Sequence, residues 1–572
     1  MTRDVLKSIS RVIKDGGVIL TVYICLLVVA LSFFAPYGYY MLGEYKAVCY
    51  LVIAGIFTLL MIPAVITCIR EKNVICLKGK WKVTGVSIID IAVMAAFASL
   101  TVSFILAFDH RVSVFGLDGW RMGYVTYVLI FAGYVAARCI SIKKYMKYIL
   151  MTSELVSGMV FLLGFINRLG IYPFKSMISV DTSFLSTIGN INWYSGYIAI
   201  FLPLAICDRV FMTDRLRTCD MEESGRWISG IRTVRPVLCD LCIFTGFLTL
   251  ISMGGDASIL IVTVIILTLV SVMIWNRDRL FIILRLAIGF MLSLEFYGLI
   301  LLRPTATYTY STDVYWLKLA IGHYGILWTF ILGIVYLLEW YIKKNAKFRK
   351  YTQKRDTADA AVNGDNKSTK QKDKRRYVIG IVPIYMLAAI GICMVILVIL
   401  LMYPVRFDGV LTLAHRLTGI DFDDTFANGR GLIYRISGLL TGRLPISRIL
   451  FGTGSDGYYA YIVNDEILGQ ILYRSYAGLR LTNAHSMLPT AFINEGLLYT
   501  MAVIALITAS YVRLIKGIRS GNAEMKAYAY TGIMILTASV YVMIFTFVTV
   551  ITLPLLAFGA GIVNDEMSRH SV

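Results

Sequence analysis

The sequence predicts an all-α, polytopic membrane protein with about 14 transmembrane helices and one long extracytoplasmic loop that contains short interfacial helices. Composition is one reason, because 58% of the 572 residues are hydrophobic and only 16% are charged. Length is the other, because apolar runs of roughly 20 residues recur along the chain, and such a helix crosses about 30 Å of hydrocarbon. The predicted spans are residues 17–36, 47–69, 85–107, 122–141, 146–166, 192–211, 236–252, 257–276, 280–302, 318–342, 378–403, 486–512, 527–549 and 551–563.

The distribution of lysine and arginine predicts the orientation. With the N-terminus inside, 40 of the 55 basic residues lie in segments that fall on one face of the membrane. Cytoplasmic segments are enriched in these residues, so this face is cytoplasmic and carries both termini. The net charge of +20 is therefore attributed to the orientation of the chain in a membrane, and no nucleic-acid partner is expected. The basic segments are 1–16, 70–84, 138–147, 209–235, 277–285, 343–376, 513–526 and 564–572.

This orientation divides the chain into five parts. The basic part is expected to be a flexible cytoplasmic loop that contacts anionic membrane lipids, and the largest outer loop is expected to be catalytic. The parts are transmembrane helices 1–10 (1–342), the basic loop (343–377), helix 11 (378–403), the large extracytoplasmic loop (404–485) and helices 12–14 (486–572).

The large outer loop carries eight arginines, no lysine and seven acidic residues. A guanidinium donates two parallel hydrogen bonds to a phosphate or carboxylate and is less strongly hydrated than an ammonium group. The arginines therefore predict either an anionic ligand or pairing with the loop's own acids. They are Arg406, Arg416, Arg430, Arg435, Arg443, Arg448, Arg474 and Arg480.

Residues 428–443 predict a short amphipathic helix that lies on the outer leaflet and holds Arg430 and Arg435 toward a headgroup or a polar cavity. Arg430 and Tyr434 share the side opposite the apolar one. The glycines of 452–457 match G-x-G-x-x-G without the strand–turn–helix setting of a dinucleotide site, so they predict a turn that approaches a ligand or a neighbouring helix. The apolar side comprises Ile433, Ile436, Leu439 and Leu440.

No metal or cofactor is predicted. The five histidines lack zinc-ligand spacing. Asp421 and Asp423 form a D-x-D pattern, which some sugar transferases use for a divalent metal, but a solvated loop paired with nearby arginines is the favoured interpretation. Cys239 and Cys242 form a lone C-x-x-C inside a span and predict helix packing, and the large outer loop has no cysteine for a disulfide.

Polar residues stand at the start of the twelfth span. Ser486 is the predicted N-cap, and Pro489 falls in the first turn, where its missing N–H costs little. His485 therefore lies beside the positive end of a helix dipole, which favours a neutral imidazole and a bound anion. Glu495 lies further along the span and needs an arginine partner or a polar cavity.

These residues resemble the O-antigen ligase and O-antigen polymerase superfamily of bacterial membrane glycosyltransferases. The resemblance covers roughly 185–560 and is concentrated in 428–500. It is carried by Arg430-x-x-x-Tyr434, Gly452-x-Gly454, His485-Ser486-x-Leu488, Glu495-Gly496 and the Gly189-Asn190-x-Asn192 of "STIGNINWYSGYIAIFLPLA".

The resemblance implies a metal-independent enzyme that takes a glycan from an undecaprenyl-pyrophosphate-linked donor. It implies transfer to the hydroxyl of an acceptor glycan or lipid at the outer face of the bacterial cytoplasmic (inner) membrane. It implies that Arg430 grips the pyrophosphate and that His485 acts as the base or orients the acceptor. Binding residues are then expected at Arg435, Tyr434, Arg443, Arg303, Glu495 and Asn190.

Two departures from the family pattern are visible. Tyr434 stands where the family often has tryptophan. The family often has Ser-Arg at the outer end of a middle helix, where this chain reads "SMGGDAS" (252–258) with Asp256 and no arginine. Arg303, at the outer end of the ninth span, is the expected substitute.

The alternative class is a transporter, for example a flippase of the same lipid-linked oligosaccharide. Transporters place charges along a path through the membrane and have matched halves with broken helices. Against this class, the arginines crowd one face and the halves show no convincing repeat. Polymerase and ligase share donor and motifs, so that choice stays open. Acids within predicted spans are Asp90, Glu154, Asp240 and Glu295.

Overall fold

The computed structural model describes residues 15–71, 86–174, 178, 183–219, 226–301, 315–356, 366–476, 480–520 and 522–569. Within these ranges the regular structure is helical apart from one two-stranded antiparallel hairpin, as the all-α prediction requires. Arg303, the expected substitute for the missing family arginine, lies outside the described residues.

Twelve described helices are long and apolar enough to cross a membrane, which confirms a multi-pass helical membrane protein. The predicted spans 122–141 and 551–563 are helical as well, as Tyr124–Cys139 and Leu553–Arg569. Both helices are shorter than the roughly 20 residues that a helix needs to cross the hydrocarbon core. The count of fourteen spans therefore stays a prediction.

The elements are numbered in chain order. The first part comprises α1 (Gly16–Phe33), α2 (Leu42–Glu71), α3 (Ile88–Ile105), α4 (His110–Phe115), α5 (Tyr124–Cys139), α6 (Met146–Arg168), β1 (Phe184–Leu185), β2 (Gly189–Asn190), α7 (Ile191–Cys219), α8 (Arg226–Ser252), α9 (Ala257–Trp275) and α10 (Leu280–Leu301). The second part comprises α11 (Tyr315–Ile321), α12 (Tyr324–Asp356), α13 (Asn366–Met402), α14 (Asp408–Thr418), α15 (Phe426–Thr441), α16 (Ile446–Phe451), α17 (Tyr458–Asn464), α18 (Glu466–Tyr476), α19 (Met487–Arg519), α20 (Ala523–Ile544) and α21 (Leu553–Arg569).

Helix α7 lies at the centre of the bundle. Of its most apolar stretch 89% is buried, more than in any other candidate span. Apolar and small residues of α7 occur on all sides of its membrane-spanning stretch, so no side of that stretch is suited to contact with water. It packs against α6, α8 and α20, and the largest hydrophobic core forms around it. Because α7 starts directly after the β1–β2 hairpin, the core fixes the position of its first residues.

The loops predicted to be extracytoplasmic meet at one end of the bundle, called here the outer-loop end. The Tyr39 hydroxyl donates to the Ser186 carbonyl at 2.8 Å. The Phe108 N–H donates to the Thr453 carbonyl at 2.7 Å. These bonds join loops that are far apart in sequence, which is the arrangement that spans of alternating direction predict.

Helices extend into the basic segment 343–377, which was expected to be a loop. Helix α12 continues to Asp356, and α13 begins at Asn366. Lysine, arginine and glutamine are common in this segment and have high helix propensity. Its central residues, 357–365, lie outside the described part of the chain.

Helix α19 is interrupted at Gly496, where φ is 88° and ψ is 177°. The interruption leaves the Ile493 and Asn494 carbonyls without helical partners. They accept instead from the glycine turn, from the Thr453 N–H at 2.9 Å and the Gly454 N–H at 2.8 Å. The prediction that this turn approaches a neighbouring helix is thereby confirmed.

Candidate functional site

A turn of unusual backbone conformation positions Arg430. Ala427, Asn428 and Gly429 have φ values of 50°, 61° and 84°, and regular helix begins after them. Left-handed conformations cost free energy for residues with a side chain, so packing must hold this turn in place. The turn directs the chain into the helical part of α15 and brings Arg430 to the start of that helix.

Helix α15 is buried more completely than an interfacial helix would be. Ile433, Ile436 and Leu440 of the predicted apolar side are buried, but Leu439 is 45% exposed. Tyr434, on the predicted polar side, is fully buried and joins the largest core. The expectation that this helix lies on the leaflet surface is therefore wrong, because other helices cover both of its sides.

Arg430 contacts two neutral acceptors. Its Nη2 donates to Asn192 Oδ1 at 2.8 Å, and its Nη1 donates to the Ala427 carbonyl at 3.0 Å. Its Nε is buried and has no hydrogen-bond partner among the described residues. Burial lowers the pKa of Arg430, while the nearby Tyr434 and Asp256 act in the opposite direction. Arg430 is thus a half-buried cation whose two hydrogen-bond acceptors are both neutral.

The Tyr434 hydroxyl lies one helical turn after Arg430. It is buried without a hydrogen-bond partner in the described part of the chain, and burial raises its pKa. Buried polar atoms are nearly always paired with protein or with water. Two unsatisfied donors on the same side of one helix therefore point to a ligand or ordered water between them.

His485 lies near Arg430, although the two are far apart in sequence. Burial, and secondarily the positive charge of Arg430, lowers the pKa of His485 to about 4. Its backbone N–H donates to Asn483 Oδ1 at 2.9 Å, and its ring centroid lies 5.7 Å from that of Phe547. Ser486 is the N-cap residue of α19, as predicted. The imidazole is therefore neutral near pH 7.

The sequence predicted that Asn190 contacts the substrate, but the structure gives Asn190 and Asn192 different contacts. Asn190 Oδ1 accepts from the Asn192 N–H at 2.9 Å, and its Nδ2 donates to Ser183 Oγ at 3.3 Å. Asn192, and not Asn190, touches Arg430. Asn190 thus orients the first turn of α7 and acts on Arg430 through Asn192.

Two predicted binding arginines pair with acids of the loop itself. Arg435 forms an ion pair with Asp424 at 2.7 Å, and Arg443 forms one with Asp465 at 2.5 Å. All four side chains are partly exposed. For these two arginines the structure matches the alternative that the sequence left open, which was pairing with the loop's own carboxylates.

The D-x-D residues have other partners than the expected arginines. Asp423 accepts from the Thr425 backbone N–H at 2.8 Å and from its hydroxyl at 2.6 Å. Asp421 lies 3.2 Å from His415 Nδ1. The two carboxylates therefore support the local turn that leads into α15.

Glu495 lies at the interruption of α19, away from Arg430. Its electrostatic neighbours include Asp456, Tyr127 and Tyr499, and none of the basic side chains in the described ranges pairs with it. Of the two alternatives expected for Glu495, an arginine partner or a polar cavity, the arginine partner is absent within this part of the chain. Burial raises the pKa of the neighbouring Asp456 to about 6, although two backbone N–H groups donate to its carboxylate.

Three of the four acids within predicted spans have local partners that account for them. These pairs are Asp90 with Arg138 at 3.2 Å, Asp240 with Arg209 at 2.7 Å and Glu295 with His323 at 2.7 Å. Glu154 differs, because neither of its buried oxygens makes a well-directed hydrogen bond to a described residue, although the Asp208 carboxylate and the Cys239 thiol lie beside it.

Compared with models of known protein families and with curated proteins, the chain matches none. The site therefore has to be interpreted from its own geometry. Asn192, Asp256 and Phe547 belong to it but were not among the predicted site residues. Asn192 was visible in the Gly-Asn-x-Asn pattern, whereas no sequence signal pointed to Phe547.

Proposed function

We propose that the protein is a membrane glycosyltransferase of the O-antigen ligase or polymerase type. Its donor would be a glycan linked to undecaprenyl pyrophosphate, bound at the outer face of the bacterial cytoplasmic membrane. The observation that carries this proposal is the pair of buried donors, Arg430 Nε–H and the Tyr434 hydroxyl, which have no acceptor among the described residues. A phosphate oxygen would satisfy both donors and would balance the charge of Arg430.

The proposed reaction needs only groups that this site contains. The acceptor hydroxyl attacks C1 of the donor sugar, and its proton passes to the neutral imidazole of His485. The bond between C1 and the pyrophosphate oxygen breaks, and its electron pair leaves with the pyrophosphate. Arg430 stabilises the negative charge that builds there. The products are the extended or newly glycosylated acceptor and undecaprenyl pyrophosphate.

Donor binding would also make His485 a better base. Part of the lowering of its pKa to about 4 comes from the positive charge of Arg430. A pyrophosphate bound to Arg430 offsets that charge, so the pKa of His485 moves back toward the operating pH. The site would therefore hold a stronger base when the donor is present.

The direct test is glycan transfer by purified protein supplied with an undecaprenyl-pyrophosphate-linked repeat unit. Wild type is expected to release undecaprenyl pyrophosphate, and His485→Ala is expected to be about 10²–10⁴-fold slower, because it lacks the general base. Arg480→Ala is the control, because this loop arginine stacks on Tyr459 at 5.5 Å and lies outside the site. Normal transfer by His485→Ala would remove the proposed base.

The same assay separates polymerase from ligase. A ladder of longer glycans formed from the repeat unit alone indicates a polymerase. A requirement for a separate glycan or lipid acceptor indicates a ligase. In both outcomes the same bond to the lipid pyrophosphate is broken, and only the acceptor hydroxyl differs.

A second candidate function is a flippase of the same lipid-linked oligosaccharide. The interruption of α19 at Gly496 favours it, because discontinuous helices line the substrate sites of many transporters. Flipping of a labelled donor in proteoliposomes would then persist in His485→Ala and fail in Glu154→Ala. The local ion pairs of Asp90, Asp240 and Glu295 weaken this candidate.

A further inference from the structure

A second cluster of polar side chains lies in the half of the bundle far from the outer-loop end. Glu154 of α6, Asp208 of α7 and Cys239 of α8 each offer one ligand atom, and these atoms all lie within 4.8 Å of one another. Each residue is at most 1% exposed. Glu154 lies in the third turn of α6, whose other end reaches the outer-loop end. The cluster is therefore separate from the candidate glycan site.

The charges in this cluster do not balance. Arg235 Nη2 donates to both carboxylate oxygens of Asp208, at 2.9 and 2.7 Å, so these two residues neutralise each other. Neither oxygen of Glu154 makes a well-directed hydrogen bond to a described residue, although its polar neighbours include the Cys239 thiol and the Asp208 carboxylate. A buried carboxylate without a partner is strongly unfavourable in its ionised form. Glu154 therefore needs either a proton or a cation close to its oxygens, and a bound cation is the alternative that also uses Asp208 and Cys239.

We propose that Glu154, Asp208 and Cys239 bind a divalent transition metal ion of the zinc class. One sulfur and two carboxylate oxygens form a donor set that suits zinc. The Cys239 thiol donates to the Ala205 carbonyl at 3.3 Å and would release its proton on metal binding. Three negative ligands are then balanced by the dication and Arg235.

Arg235 has a defined place in this arrangement. Carboxylates that ligate metals are commonly held by a hydrogen-bonding partner behind them, and Arg235 holds Asp208 in this way. The ligands come from three helices that pack together, α6, α7 and α8. Metal binding would therefore cross-link these helices and stabilise the bundle, independently of any reaction at the outer-loop end.

The test uses the full-length protein in detergent, treated with a chelator and then titrated with Zn²⁺ alone. Wild type is expected to bind about one zinc per chain and to unfold at a higher temperature when zinc is present. Glu154→Gln and Cys239→Ser are expected to lose both effects. Cys242→Ser is the matched control, because this cysteine lies one turn further along α8 and contacts Ser157 at 3.3 Å.

Three results would overturn the proposal. One is equal zinc binding by wild type and Cys239→Ser. Another is no zinc binding by wild type together with a higher unfolding temperature for Glu154→Gln, since a proton on Glu154 would then supply the missing charge. The third is read on wild type alone, in case the variants do not fold: Co²⁺ should produce a thiolate charge-transfer absorption band, and a spectrum without it contradicts the site.

Discussion

Replacing Arg430 with alanine should separate ligand binding from folding. The substitution removes two hydrogen bonds from a charged donor, to Asn192 and to the Ala427 carbonyl, each worth about 1.5–3 kcal/mol net. It also removes a half-buried cation with an unsatisfied Nε–H, whose partial desolvation costs several kcal/mol. The two effects are of similar size and opposite sign. The ligand-free protein should therefore keep its stability to within about 2 kcal/mol.

Glycan transfer should respond very differently. Removing one group that stabilises developing charge typically costs a factor of about 10²–10³ in rate, or roughly 3–4 kcal/mol. Arg430→Lys keeps the charge but loses the planar fork, so its rate should fall between those of wild type and Arg430→Ala. Transfer rates and thermal unfolding of the same purified samples provide both measurements.

Arg235→Ala is the comparison, because Arg235 is a buried arginine that forms an ion pair with Asp208 at 2.7 Å. Its removal leaves a buried carboxylate uncompensated and should destabilise the protein by about 3–5 kcal/mol. The reasoning about Arg430 is refuted if Arg430→Ala is destabilised as strongly as Arg235→Ala. It is refuted equally by an Arg430→Ala protein that transfers glycan at the wild-type rate.

Three further predictions concern pH and backbone geometry. The pKa of His485 is lowered to about 4 from 6.5, so its contribution to stability is complete above pH 6.5 and falls by roughly 3 kcal/mol as the pH drops through 4. Unfolding temperatures of wild type and His485→Gln across this range should show the loss in wild type only. The pKa of Asp456 is raised to about 6 from 3.8, so its contribution is complete below pH 3.8 and is lost as the pH rises through 6. Asp456→Asn should therefore unfold at a higher temperature than wild type at pH 8 and at the same temperature at pH 4, and lower stability at pH 8 would contradict this. Gly496→Ala should lower the yield of folded protein in size-exclusion chromatography, because its left-handed φ costs about 1–3 kcal/mol and a Cβ would overlap the Leu450 carbonyl. Gly409→Ala, which has open space around it, should fold normally.

The helical fold was predictable because hydropathy is a local property of the sequence. A run of about 20 apolar residues predicts a membrane-spanning helix without reference to the rest of the chain. The start of α19 was predictable for a similar reason, since Ser486 and Pro489 are short-range signals. The interruption at Gly496 was not predictable, because it depends on the glycine turn at 452–454, which lies in a different part of the chain. The N–H groups of this turn donate to the carbonyls that lack helical partners.

Side-chain partners were predictable only in part. The sequence placed Arg430 and His485 in one site, and the structure brings them near each other. Arg435 and Arg443 carry the same charge, but tertiary contacts give each of them a carboxylate. Asn192, and not Asn190, contacts Arg430, because the backbone at the start of α7 directs these two side chains to different partners. The sequence does not specify these directions. The partner of a charged side chain depends on tertiary contacts, which the local sequence does not specify.

The central claim is that this protein breaks the bond between a glycan and its lipid pyrophosphate. The most direct measurement reconstitutes wild type in proteoliposomes with a fluorescent undecaprenyl-pyrophosphate-linked glycan, and follows pyrophosphate-lipid release and glycan crossing in the same sample. We predict release of undecaprenyl pyrophosphate that depends on both Arg430 and His485. Crossing of the intact donor without release, unchanged in both variants, would contradict the account.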